Sequence, residues 1–324
     1  MKSTPKVANV KSIPSMEELL DKVQITISNA WNNGYRIHKP NIDKWLDNFT
    51  GEALCTPDDE SLMASAAERE KELALFLLCN FVYYNEDEIK HMVKLMFDRY
   101  AHNVFTSEGK SAVDNDEFTE LIDKTQFTYI GNVSESSSFL LYHFRQENDL
   151  SKQCFAENEK TENIVFVDDF SITGGQAKSY IKKIMKRSDW KAERKAFLLL
   201  MVTTEKAIKE LKNITGVTII PCIVLNDKSK AFSTTSTIFS GYNDIYKAEA
   251  KRMCEYYGEK IMPNSKGMTA LGYRGGEYLF GAYYNIPDNT LPIFWSSQNG
   301  WNYLFKRYDK IYGVSGMSLG GRYV

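Results

Sequence analysis

The sequence has no excess of basic residues. Its 40 Lys and Arg are balanced by 42 Asp and Glu, which gives a net charge of −2 at pH 7. A protein whose main role is to coat nucleic acid carries a strong positive charge, so this balance excludes that class while it leaves room for a local basic patch. No apolar run is long enough for a membrane-spanning helix, and the polar N-terminus lacks the apolar core of a signal peptide. We therefore expect a cytoplasmic protein with no membrane partner.

Cysteine and histidine are few and scattered. The five cysteines include no CxxC pair, and the four histidines form no HxxxH or His/Cys pattern. We expect buried, reduced thiols rather than disulfides, and no zinc site built from these residues. A GxxxxGK[ST] loop is also absent, which excludes the phosphate-binding loop of P-loop nucleotide hydrolases.

Length and composition allow one large domain or two modest ones. The chain has 324 residues, of which 43% are hydrophobic and 25% charged, as in ordinary globular proteins. Its character changes twice along the chain. We predict a flexible tail at residues 1–15, a helical N-terminal region at 16–115 and an α/β domain at 116–324.

The N-terminal region has the patterns of several helices and no motif that carries chemistry. Capping boxes predict helix starts at Ser15–Glu18 and Ser65–Glu68, and Asn85–Glu88 predicts a third start. The first of these helices should stop at Asn33-Gly34. We interpret residues 16–103 as an all-helical layer that docks on the rest of the protein or caps it.

The centre of the chain combines a strand, two acids, a turn and a helix. Residues 164–167 form an apolar, β-rich run that ends at Asp168 and Asp169. Residues 173–175, Thr-Gly-Gly, then predict a tight turn, and residues 176–185 have a helical pattern. Both acids should lie at the carboxyl end of a parallel strand, where open α/β sheets bind ligands. Because the N–H groups of the turn and of the new helix are suited to a phosphate, we predict a sugar-phosphate site.

Strands and helices alternate on both sides of this stretch. Strands are predicted at 127–130, 164–167, 196–202 and 217–225, and helices at 139–145, 176–185, 204–211 and 242–257. This spacing predicts βαβ units with right-handed crossovers. The expected fold class is therefore α/β, a parallel-sheet domain with an all-helical N-terminal layer. Further on, residues 278–284 and 291–295 are β-like.

A serine cluster precedes the predicted helix at 139–145. Ser134, Ser136 and Ser137 lie in the segment that follows the strand at 127–130. Their hydroxyl groups and the N–H groups of the helix start could face a second anion. The alternative is that the cluster only caps the helix, and the residues alone favour neither interpretation.

The central stretch resembles the phosphoribosyl-diphosphate-binding signature of type I phosphoribosyltransferases: an apolar strand, two acids, four spaced positions and then Gly-Gly. By this resemblance, Asp168 and Asp169 are the catalytic acids, which hold the ribose hydroxyls directly or through Mg²⁺. Residues 170–176 form the loop around the 5′-phosphate. The resemblance gives substrate contacts in this loop to Ser171, Thr173, Gly174, Gly175 and Gln176, and gives the pyrophosphate contacts to Ser134, Ser136 and Ser137.

Gln176 departs from the family, which has Thr at this position. Gln can still donate to a phosphate oxygen, but its greater length changes the loop.

If Asp168 and Asp169 have no ligand role, one of them should cap the turn and the other should face solvent.

The C-terminal region resembles a divergent group of phosphoribosyltransferase-like proteins of bacterial conflict and anti-phage systems, some of them retrons. The resemblance rests on residues 285–295, Trp301 and residues 304–307. It implies an effector toxin whose partners are a reverse transcriptase, its nucleic acid and a DNA-binding protein. It also implies a hood over the carboxyl edge of the sheet, in which Trp295 or Trp301 either stacks on a base or, as we favour, lies in the core.

The leading hypothesis is a phosphoribosyltransferase-like enzyme that binds phosphoribosyl diphosphate or a nucleotide with Mg²⁺. It would act at the ribose C1, either as a transferase that moves the phosphoribosyl group or as a nucleotide glycosidic-bond hydrolase that cleaves the bond there. Positioning and electrostatics do most of the work in such chemistry, so no Ser/His/Asp nucleophile is required. The alternative is a non-catalytic nucleotide-sensing or structural subunit of a defence nucleoprotein complex.

Overall fold

The computed structural model describes six stretches of the chain: residues 11–31, 39–55, 60–110, 114–133, 135–262 and 267–307. Most of the predicted tail, residues 1–10, lies outside these stretches. The described helices are α1 (Met16–Trp31), α2 (Lys39–Leu46), α3 (Met63–Cys79), α4 (Glu86–Ser107), α5 (Asn115–Asp123), α6 (Ser136–Glu147), α7 (Gly175–Met185), α8 (Glu205–Leu211) and α9 (Asp244–Ile261). The described strands are β1 (Val82–Tyr84), β2 (Thr125–Tyr129), β3 (Asn163–Ser171), β4 (Lys195–Thr204), β5 (Val217–Leu225) and β6 (Phe280–Ala282).

Four strands form the central sheet, which is entirely parallel and has the order β2-β3-β4-β5. β3 and β4 are apolar and buried along almost their whole length, as expected for strands covered on both faces. β5 is the outer strand beyond β4 and tolerates Pro221, which has no N–H to donate. The predicted α/β class with a parallel sheet is therefore confirmed. β3 is longer than predicted, because it continues four residues past Val167.

The two faces of the sheet are covered by different helices. Phe144 of α6 packs on the face that carries Val167, and α4 covers the same face. Ile181 of α7 and Leu211 of α8 pack on the opposite face, against Phe166. Because the strand order follows the chain order, crossovers of a single hand would place all three connecting helices on one face. The β2–α6–β3 connection therefore has the opposite hand to the two that follow, and the prediction of uniformly right-handed crossovers is wrong.

The N-terminal helices do not form one layer. α1, α2 and α3 pack with α9 and residues 286–305 around a separate core, in which the rings of Trp45 and Phe294 stack 5.4 Å apart. α4 packs on the sheet instead, beside α6. Between α3 and α4, β1 pairs in parallel with β6. The expectation of an all-helical region at 16–103 is therefore wrong at residues 82–84, which are extended because they complete a second small sheet.

Two of the three predicted helix starts are confirmed. Ser15–Glu18 closes a capping box at the start of α1, and Asn85–Glu88 closes one at the start of α4. The prediction at Ser65–Glu68 is wrong, because α3 begins earlier, at Met63, and has no side-chain cap. The predicted stop at Asn33-Gly34 lies outside the described residues.

The segment 291–295 is not the strand that its composition predicts, because its centre forms a 3₁₀ turn. Trp295 and Trp301 are both buried. Their indole N–H groups donate to the carbonyl oxygens of Thr290 and Ile293, each at 2.9 Å. Both rings therefore belong to the core, and neither offers a face on which a base could stack.

Two further observations concern features that are scarce in the sequence. None of the described helices is long and apolar enough to cross a membrane. The five cysteines are free thiols, three of them buried and two half-buried, which confirms the absence of disulfides among them.

A buried carboxylate anchors the N-terminal core. Glu70 of α3 is fully buried. It accepts hydrogen bonds from the N–H groups of Gly51 and Ala53 at 2.8 Å and of Leu54 at 3.0 Å. The Tyr257 hydroxyl of α9 donates to it at 2.6 Å. A buried charge is tolerated only with such partners, so this side chain joins α3, α9 and the loop before α3.

We expect Glu70→Ala to lower the free energy of unfolding by about 3–5 kcal/mol, because two buried N–H groups, one half-buried N–H group and one hydroxyl would lose their acceptor. Denaturant unfolding followed by circular dichroism measures the change. The control is Glu72→Ala on the same helix, whose carboxylate forms a half-exposed ion pair with Arg69, and it should cost less than about 1 kcal/mol. Equal losses in the two variants would contradict the anchoring role.

Candidate functional site

Asp168 and Asp169 lie inside β3 rather than after its end, because the strand continues to Ser171. The neighbouring strand β2 stops earlier, and its last pair is Tyr129 with Val167. From the acids onward, one flank of β3 is therefore no longer covered by β2. Both acids are nevertheless buried, with 8% and 3% of their surfaces exposed. The alternative in which one acid faces solvent is wrong.

The side-chain alternation of β3 is interrupted at the acids. Val167 before them and Phe170 after them contact the same apolar core, although residues three apart in a regular strand face opposite ways. Both carboxylates act on one group. The pKa of the Tyr284 phenol is raised well above its ordinary value, first by burial and then by nearby charges that include those of Asp169 and Asp168.

Asp169 is contacted from two other parts of the chain. The Ser136 hydroxyl, in the first turn of α6, hydrogen-bonds to it, and the Asn285 amide nitrogen after β6 lies 3.5 Å from its Oδ2. Burial raises the pKa of Asp169, and these hydrogen bonds, with that of the Phe170 N–H, oppose the rise. The buried Tyr284 hydroxyl lies beside this carboxyl, so a phenol adjoins the acids at the site.

The turn after β3 is held by two threonines of β4. Thr203 Oγ1 donates to the Ser171 carbonyl and Thr204 Oγ1 donates to the Ile172 carbonyl, both at 2.8 Å. Because these carbonyls are bonded to β4, the first two peptides of the turn have a fixed orientation. The sequence pattern gave no reason to connect these threonines with the site, because Thr203 lay between the predicted strand and the predicted helix and Thr204 was the first residue of that helix.

Gly174 and Gly175 form the junction between this turn and α7. Gly174 has φ +72°, and a Cβ there would lie only 3.0 Å from the Ala207 carbonyl oxygen, so the position requires glycine. α7 begins at Gly175 without a side-chain cap. Its first-turn N–H groups and the positive end of its dipole lie at the carboxyl end of β3, beside the half-buried Thr173. This geometry suits an anion such as a phosphate.

Gln176 joins this turn to the loop after β2. Its Nε2 donates to Oε2 of Glu135 at 2.6 Å, and Oε1 of the same carboxylate accepts from Asn132 at 3.1 Å. A carboxylate therefore lies next to the predicted phosphate loop, where it repels an anion. Glu135 was not predicted from the sequence, which showed it only as one residue of a serine-rich segment.

The serine cluster divides into different roles. Ser134 lies outside the described residues. Ser136 contacts Asp169, so the structure does bring this part of the cluster to the acids. The Ser137 hydroxyl is buried and donates to the Ile130 carbonyl, which attaches α6 to the end of β2. The hydrogen of this hydroxyl is used within the chain, and the substrate contact of Ser137 stays a prediction.

An aromatic shelf lies beside the acids and consists of Phe139, His143, Tyr283 and Tyr284. Phe139 is 40% exposed, and its ring centroid lies 4.9 Å from those of both Tyr284 and His143. The Tyr283 hydroxyl lies 2.7 Å from His143 Nε2. Phe139 follows Ser136 by one helical turn, so the shelf adjoins the Asp169 carboxyl. It offers a planar ligand the stacking surface that the two buried tryptophans do not.

Residues 42–307, more than three quarters of the chain, match the PRTase-CE family. The chain belongs to this family. The match supports a phosphoribosyltransferase-like protein, as the central signature suggested. A comparison with curated proteins found no match.

The acids of this PRTase-CE protein suit a particular kind of Mg²⁺ site. Among the described residues, no group of three or more His, Cys, Asp and Glu side chains converges to hold a metal ion. Mg²⁺ is often bound through one or two carboxylates while substrate phosphates and water complete its octahedron. Asp168 and Asp169, with the Asn285 amide beside them, fit an ion that arrives with a phosphorylated substrate. They do not fit an ion held by protein ligands alone.

His143 should make the stability of the PRTase-CE protein depend on pH. Burial, the larger cause, and Lys90 lower the pKa of His143 below its ordinary 6.5, while Glu86 and Glu147 act the other way. A lowered pKa means that protonation costs the folded state, so stability is lost as the pH falls through and below 6.5.

We therefore expect the unfolding temperature of the wild type to fall more between pH 7.5 and 5.5 than that of His143→Gln, which keeps an acceptor for Tyr283. Thermal unfolding of both proteins in matched buffers measures the difference. If the two proteins lose the same number of degrees, His143 is not the titrating group.

Proposed function

We propose that this protein binds phosphoribosyl diphosphate or a nucleotide together with Mg²⁺ and acts at the ribose C1, as a transferase or a glycosidic-bond hydrolase. One observation carries the proposal: two buried acids at the open flank of β3 adjoin an uncapped helix start with a Gly-Gly turn. Carboxylates suit the ribose hydroxyls, and the turn suits the 5′-phosphate, at adjacent positions on one sheet edge.

The residues of the site would have two roles, which differ according to their charge. Asp168 and Asp169 would hold the ribose hydroxyls and stabilise the positive charge that develops at C1 in an oxocarbenium-like transition state. Residues 173–176 would hold the 5′-phosphate through N–H groups. Both acids are buried, so they are poorly screened by water, which strengthens this stabilisation. A Mg²⁺ ion bound with the substrate would neutralise phosphate charge at the same edge.

The aromatic shelf supports a substrate that carries a base. It lies on the α6 side of the acids, away from α7 and the phosphate turn. A nucleotide with its phosphate in that turn and its ribose on the acids would bring a planar group toward Phe139. We therefore favour a nucleotide, or a base acceptor, as the partner of the reaction.

The biological role that we propose follows the resemblance of the C-terminal region. The protein would be a cytoplasmic anti-phage effector toxin of the retron type, restrained by a reverse transcriptase, its nucleic acid and a DNA-binding protein. The family match concerns the phosphoribosyltransferase-like character alone. Toxicity on expression without those partners, relieved on their co-expression, is the outcome that this role requires.

The acids provide the direct test of catalysis. Purified protein is incubated with Mg²⁺, phosphoribosyl diphosphate and a panel of nucleotides and bases, and the products are identified by mass spectrometry. We expect turnover to fall at least about 100-fold in Asp168→Asn and in Asp169→Asn, because each variant removes negative charge at the developing cation. Nucleotide binding should persist.

Asp98→Asn is the matched control, because Asp98 is an exposed acid of α4 far from the carboxyl edge of β3. It should keep full activity. No change in any substrate with the wild-type protein and Mg²⁺, or full activity in both site variants, would refute the enzymatic proposal.

The second candidate is a nucleotide sensor without catalysis, and the contact between Glu135 and Gln176 favours it. Type I phosphoribosyltransferases, whose signature the central stretch resembles, have Thr at the position of Gln176, and only the longer side chain reaches Glu135. In the absence of a metal ion, the carboxylate lowers the affinity of the turn for a highly charged diphosphate more than for a ligand with one phosphate. A site weakened in this way is suited to release its ligand and report concentration.

We expect Glu135→Gln to bind inorganic pyrophosphate and nucleotides about 3–10-fold more tightly, because it removes a repulsive charge of about 1 kcal/mol at the loop. Isothermal titration calorimetry measures the affinity. Glu159→Gln makes the same change at an exposed position and should bind as the wild type does. If higher affinity also raises turnover, the enzyme is favoured; if turnover stays absent while affinity rises, the sensor is favoured. Unchanged affinity in Glu135→Gln would refute a phosphate site at this turn.

A further inference from the structure

The outer surface of α7 and α8 is strongly basic. Residues 175–187 contain five Lys and Arg and no Asp or Glu, and residues 205–212 contain three Lys against two Glu. The chain as a whole has a net charge of −2, so this density is local and the rest of the chain is acidic. We define the basic face as the exposed lysines of these two segments: Lys182, Lys183, Lys186, Lys206, Lys209 and Lys212.

The helices are arranged so that these charges lie on one side. α7 and α8 cover the same face of the sheet, and Lys178 pairs with Glu210 between them at 2.5 Å. The pKa of Glu210 is lowered by that hydrogen bond, and Lys182 adds to the lowering, which shows that Lys182 is also close to α8. With the carboxylate of Glu210 used in this pair, the six lysines of the basic face form no ion pair or side-chain hydrogen bond with a described residue.

The composition of the basic face limits what it can bind. No large hydrophobic residue is exposed anywhere in residues 175–215. Membrane-surface helices insert apolar side chains below the headgroups, and protein interfaces are enriched in aromatic residues and Arg and depleted of Lys. Single-stranded nucleic acid is held partly by stacking on exposed aromatic rings, which this face also lacks. A lysine-only surface suits the phosphate backbone of a duplex, which is bound by charge.

We propose that the basic face is a sequence-independent binding surface for the phosphate backbone of double-stranded nucleic acid. The surface lies outside the candidate site: Lys182 is about 10 Å along α7 from the phosphate turn at Gly175. The proposal does not depend on the phosphoribose function, since it uses only the charge and exposure of two helices. Binding would be driven by the release of counterions and would weaken steeply with salt.

The experiment uses full-length protein and fluorescence anisotropy with a labelled 24-base-pair duplex of random sequence and one of its single strands. We expect a micromolar Kd for the duplex at 50 mM salt that weakens at least about tenfold at 200 mM. The triple variant Lys182→Gln, Lys183→Gln, Lys186→Gln should lower the slope of log K against log salt by about three. The triple variant Lys152→Gln, Lys160→Gln, Lys228→Gln removes the same charge at exposed positions elsewhere and should bind like the wild type.

Thermal unfolding first checks that both triple variants are folded. The proposal is overturned if the duplex does not bind at 50 mM salt, if both triple variants lose affinity equally, or if only the single strand binds. It is also overturned if vesicles containing phosphatidylserine bind through the same lysines while the duplex does not bind. Loss of duplex affinity in the α7 variant alone, with the phosphoribosyl reaction unchanged, supports it and separates it from the proposed function.

Discussion

A carboxyl group removed from water needs polar partners, and the site at the end of β3 is organised by that need. Asp169 is 3% exposed and is met by a hydroxyl from α6 and an amide from the segment after β6. These partners belong to two parts of the chain that are distant from β3 in sequence. The raised pKa of Asp169 shows that they do not compensate fully for its burial. A sugar hydroxyl or a cation would supply what is missing, whereas an apolar ligand would not.

This convergence depends on the unusual course of the chain around β3. α6 lies on the opposite face of the sheet from α7 and α8, so its N-terminus reaches the acids from the side that the phosphate turn does not occupy. Asp168 pairs with Leu200, which belongs to the core under α7 and α8, so the interruption of the alternation lies between Asp168 and Phe170. Both acids are close enough to the Tyr284 phenol to raise its pKa. The sheet therefore gives up local regularity at the residues that the proposed function uses.

The sequence predicts well what depends on local pattern. The apolar run before Asp168, the Thr-Gly-Gly turn and the helix after it are all present, because strand burial, glycine conformation and helical periodicity are local properties. Prediction from the sequence fails where a contact with a distant part of the chain determines the structure of a segment. Residues 82–84 are extended only because β6 lies beside them, and the tryptophans of the tail are buried only because α2 and α9 cover them. The aromatic shelf and Glu135 were missed for the same reason, since each acquires its meaning from a contact across the fold.

Gln176 and Glu135 form one feature rather than two. A Thr at position 176 could not reach across to the loop after β2, so the carboxylate of Glu135 would lose its bond to the turn. The Gln amide, with two N–H groups, can bond to it and still donate to a phosphate. In the proposed function, the pair would allow a phosphate to bind while the charge of that phosphate is opposed by a fixed carboxylate. A ligand of this turn must bring positive charge that compensates for the carboxylate of Glu135. A Mg²⁺ ion bound to a diphosphate supplies that charge, whereas a monophosphate without a metal ion does not. The same arrangement therefore disfavours simple phosphates and favours the metal-bound donor of a transferase, which is why we place the enzyme before the sensor.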